Sequence, residues 1–159
     1  MGLDMRVYLK KYGGSDGEWF RCPIDFEMVK RRFHTLIVYS YESEAPFSLQ
    51  TCYMVDEINE IFRRAVRVNE EVLEIADQLI AYGLFQNLDD FLNNWDSLNI
   101  YPDVTDFESL GQLALVDKYN EIDPETDFKV IGQDYYTRSE GIFTRLGWVE
   151  RMGINVSSR

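Results

Sequence analysis

Lysine and arginine are missing from Val68 to Asp117, a run of fifty residues that carries eleven carboxylates. Histidine is nearly missing as well, since His34 is the only one. A single imidazole excludes a two-histidine metal site or a carboxylate–histidine–zinc pair within one chain. Any Ser–His–Asp or Cys–His arrangement would rest wholly on that same residue. His34 follows a short helical stretch and reads as structural. The two cysteines, Cys22 and Cys52, fall in no CxxC or Cys/His cluster and are too few for a disulfide scaffold, so they read as reduced thiols. No stretch approaches the ~18 consecutive apolar residues of a membrane span, and the opening MGLDMRVYLKKY lacks the apolar run of a signal peptide. A cytoplasmic protein is the expectation. There is no GxSxG, no EF-hand spacing around Asp89-Asp90 or Asp123–Asp127, and Gly13-Gly14-x-x-Gly17 leads into Glu18-Trp19 where a phosphate loop needs Lys-Ser/Thr. In any fold of this size 28 carboxylates place some pairs ~5–10 Å apart, so paired acids do not by themselves indicate a glycosidase. The chain is expected to be no enzyme and to need no metal or cofactor.

Core material is plentiful: 45% of the 159 residues are hydrophobic and 14% aromatic, which excludes a disordered acidic chain. The 28 Asp and Glu against 16 Lys and Arg give a net charge of −12. That charge is segregated. Residues 1–34 hold seven bases and five acids, or +2, while residues 35–67 hold five acids and three bases, the bases all within Arg63-Arg64-Ala65-Val66-Arg67. The base-free run supplies −11, and residues 118–159 hold six bases and seven acids. A chain of this balance repels nucleic acid, so its partner is expected to be basic and no direct nucleic-acid binding is expected.

The pattern predicts an α+β fold. Met5–Tyr12 alternates as a strand, Gly13–Gly17 is turn chemistry, and Trp19–Cys22 is the returning strand of a hairpin. Asp25 caps a short helix Phe26–Phe33, and Thr35–Tyr41 is a third strand. From residue 55 the period turns helical, with Val55, Ile58, Ile61, Phe62 and Ala65 on one face. Asn69 caps a second helix running to Tyr82, with Gly83 at its C-cap. Asn87 caps a third, with Leu88, Phe91, Leu92 and Trp95 inward. After the break at Tyr101-Pro102-Asp103, Thr105-x-x-Glu108 resembles a capping box opening a helix with Leu110, Leu113, Ala114 and Val116 inward. Asp123–Thr126 is a turn, Phe128–Ile131, Ile142–Thr144 and Trp148–Val149 are short strands, and Val156–Arg159 is a frayed tail. Three units follow: 1–56, an α+β unit; 57–103, a helical bundle; and 104–159, a mixed α/β unit.

On a helix Asn69–Tyr82, Glu70, Glu74 and Asp77 stand at i, i+4 and i+7 with Glu71 beside them. Like charges at that spacing cost a few tenths of a kcal/mol each, and no base offsets them. Helix dipoles favour acids in first turns, which accounts for Glu70-Glu71, Asp89-Asp90, Asp106 and Glu108 but not for the missing bases. B-DNA carries one negative charge per ~1.7 Å of axis. Carboxylates spaced on helix faces at ~6 and ~10 Å can present a comparable field to a DNA-binding groove. Acidic surfaces also serve solubility alone.

A resemblance adds to this reading. Trp19-Phe20-Arg21-Cys22-Pro23-Ile24-Asp25-Phe26-Glu27-Met28-Val29-Lys30, after the strand Arg6–Leu9, resembles the opening of the ArdA antirestriction proteins of plasmids and conjugative transposons. Tyr39-Ser40-Tyr41-Glu42, leading to Pro46-Phe47 and a helix with Ile58-Asn59, is a second match. Asp127–Asp134 followed by Gly141-Ile142-Phe143 is a third, with Ile131 and Gln133 where the family carries an aromatic and an arginine. The matches are collinear and span most of the chain.

The resemblance implies an elongated, three-part molecule that dimerises through its C-terminal part. It implies a DNA mimic occupying the DNA groove of type I restriction–modification enzymes, on the methyltransferase–specificity core. The phosphate surrogates are then Glu70, Glu71, Glu74, Asp77, Asp89, Asp90, Asp96, Asp103, Asp106, Glu108 and Asp117, extended by Glu42, Glu44, Asp56, Glu57 and Glu60. A mimic aimed at another DNA-binding target, such as an anti-CRISPR protein or a nuclease inhibitor, would carry the same acids. A structural or adaptor protein of a mobile element would instead show apolar hot spots. The basic island Arg63, Arg64 and Arg67 has no place in the mimic pattern.

Overall fold

A computed structural model of the chain describes residues 3–116 and 123–151. Asp117 and the tail Val156–Arg159 lie outside the described residues. Helices and two three-stranded antiparallel sheets alternate along the chain, an α+β fold. The packing divides into two compact units, residues 1–77 and 78–159.

In the first unit β1 (Arg6–Lys11), β2 (Gly17–Arg21) and β3 (Val38–Glu44) form a sheet of order β2-β1-β3. Val7 and Leu9 of β1 and Phe20 of β2 are buried and alternate with exposed or half-buried residues, as a half-covered sheet requires. The hairpin turn uses Gly13 at φ 76°, a left-handed conformation that favours glycine. Helix α1 (Phe26–Phe33) starts where expected: the Asp25 carboxylate accepts the Glu27 N–H at 2.9 Å. His34 ends it in the left-handed region at φ 57°. The third strand begins at Val38 rather than Thr35 and runs on to Glu44, because Met54 and Tyr53 bond back to Tyr39 and Ser40 and fix its edge there. Helix α2 (Val55–Ala65) buries Val55, Ile58, Ile61 and Ala65. Its Asn59 amide accepts the Ile24 N–H at 2.7 Å and donates to the Ile24 carbonyl at 3.0 Å, satisfying a stretch of backbone that no sheet reaches.

The helix expected over Asn69–Tyr82 is two helices. Helix α3 (Glu70–Glu74) stops at Ile75, whose φ of −103° and ψ of 4° leave the helical range, and α4 (Ala76–Ala81) starts again at once. Val72, Leu73, Ile75, Ala76 and Leu79 are all buried, and one straight amphipathic face cannot turn so many adjacent residues inward. The break satisfies them. Gly83 closes α4 at φ 88°, with Leu84 N–H bonded to the Leu79 carbonyl.

In the second unit α5 (Leu88–Asn94) passes through a 3-10 turn, Trp95–Ser97, into β4 (Leu98–Tyr101). Leu88 and Trp95, expected inward, are only half-buried, whereas Phe91 and Leu92 are buried. The sheet order is β4-β6-β5, with β5 (Ile142–Thr144) and β6 (Gly147–Arg151). Helix α6 (Phe107–Ala114) is capped one residue later than expected, by Asp106 with Ser109 rather than Thr105 with Glu108. Val116 lies beyond its end and is exposed, contrary to its expected inward placement.

Phe128–Ile131, read as a strand, opens helix α7 (Phe128–Arg138). The Asp127 carboxylate accepts the Lys129 N–H at 3.1 Å, and Gly132 lets α7 press against α6. Local cap and tertiary packing together override the β-branched run. Trp148 is fully buried at the centre of this unit, with Val104 and Leu110 and the half-buried Tyr101, Leu113, Tyr135 and Phe143 around it.

Candidate functional site

The acids of the first unit stand in three local settings. On β3, Glu42 is exposed and Glu44 accepts from the Arg6 guanidinium at 2.9 Å. On α2, Asp56 is exposed at the first turn, Glu57 reaches back to the Met54 N–H at 3.0 Å, and Glu60 is held by Arg63. The Arg63 hydrogen bond lowers the Glu60 pKa, with Arg63, Arg64 and Arg67 adding their charge. Arg63 and Arg64 of the basic island therefore face an acid of their own helix. At α3 the Asn69 side chain takes the Glu71 N–H at 2.9 Å, and Glu70, Glu71 and Glu74 are exposed. Asp77 does not continue their stripe, because the helix breaks at Ile75. Its carboxylate instead accepts the Ser48 N–H at 2.8 Å and the Ser48 hydroxyl at 2.7 Å, holding the loop after β3.

The second unit sorts its acids more sharply. Asp89 is exposed in the first turn of α5, while Asp90 beside it is turned inward. Asp96 on the 3-10 turn, Asp103 after β4 and Glu108 in the first turn of α6 are exposed. Asp106 is the α6 cap and accepts the Ser109 N–H at 2.8 Å. That bond and the Ser109 hydroxyl lower its pKa. Across both units Glu42, Asp56, Glu70, Glu71, Asp96, Asp103 and Glu108 make no side-chain hydrogen bond or ion pair among the described residues, so their charge goes to solvent. No family model matches this chain, and no curated protein matches it. The residues themselves must carry the reading.

Helix ends show where the one-sign surface comes from. Helices α3, α4, α5 and α6 each have an acid in the first turn and no base in the last. In contrast α1, α2 and α7 end on Lys or Arg, the ordinary complement to the helix dipole. Capping explains the acids that are present. It leaves the four bare C-terminal turns without a local reason.

Sequence reasoning placed Asp90 among the surrogates, but its chemistry is internal. Arg151 of β6 meets it at 3.2 Å through both terminal nitrogens, bonds the Leu84 carbonyl at 3.0 Å and lies 4.6 Å over the Phe85 ring. Burial alone raises the Asp90 pKa. The Gln86 N–H, the Arg151 guanidinium and the Asn94 amide outweigh that, and the carboxyl ends below its ordinary value of 3.8. A pKa lowered in the folded state means the unfolded chain binds the proton more readily. The stabilisation is therefore complete above about pH 4 and fades as the pH falls below it. Arg151→Met keeps the apolar stem but strands a half-buried carboxylate, and it should cost about 1–3 kcal/mol at neutral pH. It should also flatten the acid limb of the stability profile, read as urea midpoints between about pH 3 and pH 6. No periodicity links residues 61 apart, so Arg151 was not legible as the counter-charge.

Other chemistry is sparse. Cys22 is buried, which pushes its thiol up to about 11 and leaves it protonated. Cys52 is exposed. Among the described residues no group of three His, Cys, Asp or Glu side chains is arranged to hold a metal ion. No helix of the described residues is long and apolar enough to cross a membrane.

Proposed function

We propose that this protein is a DNA mimic that inhibits type I restriction–modification enzymes by competing for the DNA-binding groove of their methyltransferase–specificity core. The single observation that carries the reading is the set of seven exposed carboxylates with no counter-charge among the described residues, three of them, Glu70, Glu71 and Glu108, on short helices that carry no base at all. A groove that binds DNA is lined with Lys and Arg that neutralise phosphates. Carboxylates fixed on a folded surface can offer it the charge that phosphates offer. The ArdA resemblance of Trp19–Lys30, Tyr39–Glu42 and Asp127–Asp134 supplies the target class and a homodimer as the working form. The protein would act by occupancy, with no catalytic step, in the cytoplasm where restriction enzymes meet DNA.

The test is displacement of a fluorescent duplex from a purified type I methyltransferase core at low and moderate salt. Stoichiometric displacement is expected at low salt, and direct binding of the protein to the core should itself weaken steeply as salt rises, because exposed charge pairs are screened. Absence of displacement at low salt sinks the type I assignment. The same titration against other DNA-binding enzymes then decides whether any mimicry remains.

A further inference from the structure

The outer face of the first sheet is built of alternating aromatic and basic side chains. Arg6, Tyr8 and Lys10 alternate along β1 with the buried Val7 and Leu9. The register sets Trp19 opposite Tyr8 and Arg21 opposite Arg6. Tyr39 lies opposite Lys10, and the irregularity between Tyr8 and Leu9 brings Tyr41 beside Tyr8. Three rings thus form a row across three strands, Trp19–Tyr8–Tyr41, with centroids 5.5 and 6.4 Å apart. Tyr12 and Tyr39 form a second pair at 6.1 Å. Cations interleave with them, Arg6 at 5.5 Å from the Trp19 ring centre and Lys10 at 3.7 Å from that of Tyr41.

This face is open: Tyr12 is 83% exposed, Tyr41 45% and Trp19 37%. The inner face of the sheet serves the core, and folding does not require rings on the outer one. Its bases are Arg6, Lys10 and Arg21, and the register sets Glu44 and Glu42 of β3 opposite Arg6 and Tyr8 on the same face. Arg6 and Arg21 pair with Glu44 and Asp4 at exposed positions, where such bridges are weak and exchange readily. Lys10 has no carboxylate partner among the described residues.

We infer that this face binds single-stranded nucleic acid, DNA or RNA, stacking unpaired bases on Trp19, Tyr41 and Tyr12 while Lys10 and the exchangeable arginines hold phosphates. Rings displayed on an open sheet stack bases of any sequence, and interleaved cations track the backbone. A duplex keeps its base faces inside its own stack, so it gains only the weak charge term. Of the seven carboxylates behind the inhibitor reading this face carries Glu42, opposite Tyr8, and the two readings are tested by separate measurements.

The test is fluorescence anisotropy of labelled oligo(dT) and oligo(rU) on the full chain, with the annealed duplex beside them. Both single strands should bind at low salt, and affinity should fall roughly tenfold between about 50 and 200 mM salt for two or three phosphate contacts. Trp19→Ala should weaken binding at least about fivefold. Tyr12→Ala, at a side chain too exposed to matter for folding, should weaken it in the same direction. Tyr82→Ala, an exposed ring of the second unit, should leave it unchanged. No binding at low salt, equal binding of the duplex, or Trp19→Ala and Tyr12→Ala behaving like Tyr82→Ala would each overturn the inference and leave the face to a protein partner.

Discussion

Reversing Glu71, Asp96, Asp103 and Glu108 to lysine together should reduce the displacement of DNA from a type I core by about three orders of magnitude, while any one of them changed to Gln or Asn should cost less than about fivefold. Exposed charge interactions are worth about 0.2–1 kcal/mol each. A neutralisation removes one such contribution, and a reversal replaces attraction by repulsion and counts about twice. Four reversals at about 0.5 kcal/mol per unit charge sum to about 4 kcal/mol, or close to a thousandfold. All four side chains are exposed and bond to nothing among the described residues, so the fold should survive their loss. The measurement is the inhibitor concentration that halves DNA binding, taken across the single, double and quadruple variants. A graded series is the signature of a summed field. One neutral change that abolished inhibition would point to a discrete hot spot instead.

The largest effect on stability should come from Gly132→Ala. Helices α6 and α7 pack antiparallel with their backbones almost touching: an added Cβ at Gly132 would lie 1.7 Å from the Phe107 carbonyl oxygen. At Gly111 the same addition would lie 1.9 Å from the Phe128 oxygen. Neither clash can be relieved by a side-chain rotation, because the opposing atoms are backbone. The helices would have to separate by more than an ångström along their length, opening the packing around Trp148. Overpacking in a well-packed core costs about 1–3 kcal/mol, and a backbone clash lies at or beyond the top of that range. In a unit of this size the expected loss is at least about 15 °C in Tm. A shift of only a few degrees would mean that the helices do not approach as closely as described.

How much of this was legible in the residues depended on how local the cause was. The hairpin around Gly13–Gly17, helix α1 behind Asp25, and the caps Asn69 and Asn87 are decided within a few residues, and each stands where the pattern placed it. β4 was missed because Leu98–Tyr101 is a strand only by pairing with Trp148–Arg151 about fifty residues away. Phe128–Ile131 misled because β-branched residues describe a preference for a half-buried surface, and α6 offered a helix a better one through Gly111 and Gly132. Among the acids, composition announced the surplus but not its use. The pattern could not separate Glu70 and Asp103, left to solvent, from Asp77 and Asp90, which bond Ser48 and Arg151 far along the chain. The aromatic sheet face was hidden for the opposite reason. Its rings come from three strands, and only the sheet register brings them together.

The interruption at Ile75 has a meaning beyond geometry. A long helix has a single N-terminal turn in which negative side chains are welcome; cutting the same residues into short helices multiplies those turns. Each first-turn Asp or Glu is favoured by about 0.3–1 kcal/mol at the surface. Fragmentation therefore lets a sequence accumulate anionic side chains without eroding its own fold, and exchange of Asp for Glu at such positions is nearly neutral. A sequence built this way can exchange its first-turn acids one at a time while the core beneath them stays the same.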